Sequence, residues 1–279
     1  CFHVSASIST RRAYIIGMVS LIERRPVAFT LGFGAAMLAL TVVARITLEA
    51  LVPSLTLHGI GLILNWVFVA LVVGLVAWLG WWEKIRLTAP VNRRALIYLL
   101  PLAVMVFIPA AFGFAIPEVS LIEGTTLPAW AALFVIVVGV ALGAAISEEL
   151  LYRGVFLRAL EPRGRVLAVV LPAAVFGLSH VSQVILGNSL AEWLPQMILI
   201  IPLGIGLGAI AFRLESLWPL VVWHFAVDVT GGLVANPSPL MDLAAIGLIF
   251  VVFVVGVGLL WQDRHLEAPA APVQAPVSE

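Results

Sequence analysis

The chain has 279 residues, 62% hydrophobic and 11% charged, with 15 basic and 15 acidic side chains balancing to zero net charge. Together with a mean hydropathy of +1.14, this composition excludes an ordinary soluble domain and offers no basic surplus for nucleic acid. Apolar stretches about 20 residues long match a hydrocarbon core about 30 Å thick, and the in-out alternation of a transmembrane β-barrel is not visible.

Eight spans are predicted in chain order, near 27–48, 60–82, 95–116, 128–152, 166–187, 194–212, 217–235 and 240–261, which makes the chain an all-α polytopic membrane bundle. Pro53, Pro90, Pro117 with Pro128, the Pro162-Arg163-Gly164 turn and Pro237 with Pro239 all fall between spans, where a missing amide donor does little harm. Residues 1–26 read as a cytoplasmic N-terminal segment, 27–261 as one membrane domain with a catalytic core at about 128–235, and 262–279 as a Pro/Ala-rich tail expected to stay disordered. The single cysteine, Cys1, leaves no internal disulfide. With no initiator Met and no signal peptide before it, the chain start is expected to be truncated or misassigned.

Within the spans, Arg45 and Glu49 stand four apart near the outer end of the first and read as an interfacial ion pair. Gly139 with Gly143 and Gly204 with Gly208 have the spacing that lets membrane helices approach backbone to backbone. The "GIGLGAI" run at 204–210 lacks the strand-turn-helix setting of a dinucleotide fingerprint. Trp81, Trp82, Trp130, Trp218 and Trp261 sit near span ends, as interface anchors do.

Charge sets the orientation. Arg11, Arg12, Arg24 and Arg25 precede span one, Lys84, Arg86, Arg93 and Arg94 lie between two and three, and Arg153, Arg158, Arg163 and Arg165 lie at or beyond the end of four. Arg213 lies between six and seven and Arg264 after eight, so only Arg45 of the basic residues falls on the other side. By the positive-inside rule both termini are expected in the cytoplasm, with Glu118, Glu123, Glu192 and Asp242 marking the outer loops.

Against this background, the 143–160 stretch "GAAISEELLYRGVFLRAL" sets two adjacent acids and an arginine in an apolar helix. At about 1.5 Å of rise per residue, Glu149 lies about 18 Å from the turn at Glu161, His180 about 21 Å from the start of span five, and His224 and Asp228 about 10 and 17 Å from the start of span seven. Three helices therefore present polar groups at one depth. Burying a single charge there costs at least about 3 kcal/mol, so a functional cluster is the favoured reading over structural hydrogen bonding between helices. Glu149 precedes Arg153 by four residues, the favourable order for a pair along one helix face, while Glu148 is turned about 100° away and free to face a cavity. His224 and Asp228, also four apart, could act as an oriented imidazole and its carboxylate or grip a common ligand.

"EELLYR" at 148–153 fits E-E-x-x-x-R, "FGLSH" at 176–180 fits F-x-x-x-H, and "HFAVD" at 224–228 fits H-x-x-x-[ND], in order and on successive helices. Over roughly residues 128–235, including the "LESLWPLVVWH" approach to the third motif, the chain resembles the CPBP family of intramembrane proteases, the type II CAAX-processing and bacteriocin-processing or self-immunity proteins. The resemblance implies peptide-bond hydrolysis of a membrane-embedded or lipidated substrate at a site opening towards the cytoplasm. It assigns Glu148 with His180 to water activation and His224 with Asp228 to the oxyanion, while the spacing of Glu149 and Arg153 makes them an orienting pair within the catalytic set. A second chemistry, a zinc-dependent metalloprotease with Glu149, His180 and His224 as ligands, stays open, although no H-E-x-x-H is present. Outside proteolysis, the alternatives are a proton-coupled transporter, for which no internal repeat is seen, and a non-catalytic immunity or partner protein that keeps the fold.

Overall fold

A computed structural model of the chain describes residues 22–185 and 189–267. Cys1, Arg11, Arg12 and the end of the chain from 268 lie outside the described residues, as does the side chain of Glu192. Among the described residues eight main helices follow one another: α1 Pro26–Leu51, α2 Leu57–Leu79, α3 Arg93–Phe112, α4 Ala129–Arg163, α5 Arg165–Ser179, α6 Leu190–Leu214, α7 Trp218–Gly232 and α8 Pro239–Glu267. A short helical turn, Val181–Ile185, follows α5. Among the described residues there is no strand, only isolated bridges at Leu55–Ile122 and Phe114–Val234.

Local chemistry sets the helix ends. Pro26 and Pro219 occupy first-turn positions, where no amide donor is needed. The Thr56 hydroxyl accepts from the Gly59 amide at 3.2 Å to cap α2, and Gly80, at φ +66°, closes the other end in a left-handed turn that favours glycine. Helices α1, α2, α3, α4, the Trp193–Leu214 part of α6 and α8 are long and apolar enough to cross a membrane. Helices α5 and α7, at 15 residues each, fall short of the roughly 20 that a full crossing takes. Such short helices persist at membrane depth where protein surrounds them, and α5 packs on α6 while α7 packs on α3 and α4.

The connections gather at two ends. At one, the Thr56 amide donates to the Leu121 carbonyl, Glu123 to Ser54, Ala115 to Leu233 and Ala235 to Gly113. At the other, the Leu217 amide donates to the Arg86 carbonyl and Asn92 to Leu214, Lys84 pairs with Glu23 at 3.0 Å, and Arg165 pairs with Asp263 at 2.9 Å. Arg45, paired with Glu49 at 2.8 Å, lies on α1 apart from the other cations. Helix α8 runs to Glu267, past the 261 boundary expected from hydropathy, because Asp263 is buried between Arg165 and Arg213 and binds this last segment to α5 and α6. Trp81 is a second departure: it is buried, with the Lys84 ammonium 3.9 Å from its ring centre, whereas Trp82, Trp130, Trp218 and Trp261 are exposed.

The glycine pairs work as close-approach points. A β-carbon at Gly139 would strike Leu62 and one at Gly143 would strike Asn65, so α2 lies directly on α4 there. On α6, a β-carbon at Gly204 would stand 3.0 Å from that of Ala173, and one at Gly208 would stand 3.1 Å from Val169. Gly206 meets Gly256 of α8 backbone to backbone, an approach not foreseen in the sequence. The buried apolar residues form two main clusters, one centred on α3, α5, α6 and α8, the other on α1, α2 and α4.

Candidate active site

Helix α4 is not a plain α-helix. It winds with wider π turns over Val135–Leu142 and Glu149–Phe156, on either side of an α-helical segment Gly143–Glu148. Wide turns leave carbonyls poorly paired and are often found at functional sites. Here Asn65 of α2 covers the first of them, its Nδ2 donating to the Gly139 and Val140 carbonyls at 2.8 and 3.0 Å. The second begins at Glu149, directly after Glu148, and contains Glu149 and Arg153.

Glu149 and Arg153 form a buried pair. Arg153 Nη1 donates to Glu149 Oε1 at 2.9 Å, with the two side chains 3% and 0% exposed. A charge pair so fully removed from water holds its place because breaking either half would strand the other, at a cost of about 3 to 5 kcal/mol. The Arg153 guanidinium also lies 5.0 Å from the ring centre of Phe176 on α5. The same Glu149 Oε1 accepts from His224 Nδ1 of α7 at 3.0 Å, so one carboxylate oxygen ties α4 to α7. Glu149 Oε2 and Arg153 Nη2 are buried with no hydrogen-bond partner.

With Nδ1–H committed to Glu149, His224 directs Nε2 between two other acids. Glu148 Oε2 lies 3.7 Å from it and Asp228 Oδ2 3.5 Å. Both distances exceed a good hydrogen bond, so they describe charges facing one imidazole across a small gap. His180 ends α5. Its Nδ1 lies 2.9 Å from the Phe176 carbonyl, an oxygen that can only accept, so Nδ1 carries the hydrogen and a neutral ring presents Nε2 as an acceptor. Edge-on contact with Phe176, ring centres 5.2 Å apart, holds that imidazole further.

Glu148, Glu149, Arg153, His180, His224 and Asp228 all line one cavity of about 360 Å³. Phe176 and Ile200 come from one apolar cluster and Leu207 and Trp223 from the other, so the cavity lies where the two meet. Glu148 also lines a second cavity of about 280 Å³, where Thr41, Asn65, Tyr152, Ser179 and Ser182 supply polar walls. One acid therefore stands between two chambers.

Residues 128–230 match the family model described as type II CAAX prenyl endopeptidase Rce1-like. This segment belongs to that family. No curated protein matches the chain. The family is one of proteases, the chain has the long apolar helices of a multi-pass membrane protein, and all seven fixed residues of the three sequence motifs lie inside the matched endopeptidase segment.

The matched segment does not build the site alone. Met105 of α3 lines the main cavity, and α1 and α2 wall the second. Trp223, next to His224, donates its indole N–H to the Leu102 carbonyl at 2.8 Å and fixes α7 on α3. Met105 and Asn65 carry no motif spacing, so sequence reasoning had no signal for them, while Trp223 falls within the "LESLWPLVVWH" approach without a role being assigned to it there. Glu149 Oε1 is shared by a guanidinium and an imidazole, and among the described residues no group of three or more His, Cys, Asp or Glu could hold a metal ion. As placed, Glu149, His180 and His224 do not come together as such a group.

Proposed function

We propose that the endopeptidase segment cleaves a peptide bond of a membrane-associated substrate, prenylated of the CAAX type or bacteriocin-like, with Glu148 and His180 activating water. The convergence of Glu148, His180, His224 and Asp228 from three helices on one cavity carries this reading. Glu148 takes a proton from water while His180 Nε2 accepts the water's other O–H bond and orients it. The hydroxide oxygen attacks the scissile carbonyl carbon, and the electron pair moves onto the carbonyl oxygen. His224 meets that oxyanion through Nε2–H. Because Nδ1–H already donates to Glu149, the ring must be imidazolium to do this, and the buried Glu149 carboxylate supplies its countercharge. Arg153 keeps Glu149 in place. Collapse of the tetrahedral intermediate breaks the C–N bond, and the proton held by Glu148 passes to the leaving amine.

A transporter would use the same residues as a proton relay, and an immunity protein would bind peptide without cutting it. One comparison separates all three. The purified full chain, reconstituted in lipid, is incubated with membrane peptides, and cleavage and proton flux are measured for wild type, Glu148→Gln and His180→Ala. Cleavage by wild type alone, with each variant folded, is expected, since a base and its partner act as a unit. Turnover retained in Glu148→Gln refutes its assignment as base.

A further inference from the structure

Far from the motifs, the turn between α4 and α5 opens onto a cavity of about 450 Å³ lined by Arg163, Gly164, Arg165, Val166, Asp263 and Arg264 among others. Its charge is one-sided. Asp263 is answered by Arg165 at 2.9 Å and by Arg213 at 2.7 Å, and among the described residues Arg163 donates only to the neutral Arg24 carbonyl, so the described rim carries a positive surplus. Gly164, at φ +105°, makes the sharp turn that sets Arg163 and Arg165 on the same rim. The first turn of α5, which forms part of the wall, has no side-chain cap, so its amides add to the field that favours an anion.

This basic end continues into an apolar groove of about 330 Å³. Val166, Val170, Leu260 and Arg264 line both cavities, and Ile205, Phe253 and Val257 extend the second along α6 and α8. From Phe253 to Arg264 the groove follows α8 for about 16 Å. Trp261, 62% exposed, stands on its wall like an interface anchor. The groove is separate from the catalytic chamber, whose α6 lining is Ile200, Leu203 and Leu207, because Ile205 is about 200° around the helix from Leu203.

A cationic rim at the arginine-rich end of the bundle, joined to an apolar trough along two membrane helices, matches one ligand chemistry. We propose that this cleft binds an anionic phospholipid, its phosphate held by Arg163, Arg165 and Arg264 and an acyl chain laid along Val170, Phe253 and Val257. The apolar length argues against a free phosphate, which would use the rim alone. Basic pockets between membrane helices are suited to such headgroups.

The full chain is purified in detergent, exchanged into phosphatidylcholine with or without phosphatidylglycerol, and tested for retained phosphatidylglycerol and for melting temperature. Wild type should retain the anionic lipid and melt higher in its presence. R163Q/R264Q should weaken retention about 30-fold, equivalent to about 1 kcal/mol for each arginine near an anionic surface. R93Q/R94Q removes two charges elsewhere at the same end and should leave retention unchanged. V257W fills the trough without altering charge and should reduce retention as well, which keeps the test decisive should R163Q/R264Q fold poorly. Equal loss in R93Q/R94Q, unchanged retention in V257W, or the same thermal shift from inorganic phosphate alone would each overturn the proposal.

Discussion

Asp228 is the residue whose chemistry is most sharply constrained. An ionised carboxylate donates no hydrogen bond and repels a developing oxyanion, so in the proposed mechanism Asp228, 3.5 Å from His224 Nε2, would have to act either as a protonated acid or through that imidazole. Asp228→Asn substitutes a permanent donor of nearly the same shape. Its cleavage rate should therefore equal or exceed that of wild type and lose any dependence on protonation of residue 228. A metal mechanism gives the opposite result, a loss of about 10 to 100-fold from removing an anionic partner of a ligating histidine. Rates for both forms, measured across pH with chelator and with added zinc, decide the matter: chelator-sensitive activity restored by zinc, with a weak Asn variant, would sink direct glutamate catalysis. Glu148 and Glu149 illustrate how neighbouring identical residues diverge. One is fully enclosed and paired with two partners, the other lines both chambers.

At the scale of elements, small residues decide where helices touch. Gly206 of α6 and Gly256 of α8 cross so closely that a β-carbon at 256 would stand 2.6 Å from the Gly206 Cα. Neither backbone can yield as a side chain would, so Gly206→Ala should destabilise by about 1 to 3 kcal/mol, read as a lower melting temperature in detergent. Gly61 on α2 has nothing within 4 Å of its β-carbon position. Gly61→Ala should accordingly be neutral or stabilising, by at most about 1 kcal/mol. Equal melting of the two variants would contradict the close crossing of α6 and α8. The wide turns of α4 belong to this scale too, since Asn65 must reach across from α2 to cover the carbonyls that they release.

For the whole molecule, the alternation of charged and uncharged ends predicts the orientation. Reporter fusions should place 84–94 and 158–165 in the cytoplasm and 118–127 outside, because the cations of the short loops hold one side of the bundle at the inner face. Reversed reporter signals at these loops would dismantle the shared depth of the proposed catalytic groups. The bundle also shows why the family segment needs its surroundings. Residues 128–230 carry the motifs, but α3 closes the main cavity and α1 and α2 close the second.

Much of this was determined by sequence alone. Helix positions followed from hydropathy and proline punctuation, because lipid forces every backbone amide into a helix and loops must lie outside the apolar core. The Glu149–Arg153 pair followed from spacing, because residues four apart on a helix must be neighbours. The tertiary structure decided what spacing cannot reach. It joined Glu149 to His224 across 75 positions, set Glu148 between two chambers, drew Asp263 and the end of α8 under two arginines, and brought Met105, Asn65 and Trp223 to the site. Contacts between helices depend on the rotation and depth of each relative to the others. Those are settled by packing at points such as Gly143, Gly204 and Gly206, which no single helix encodes.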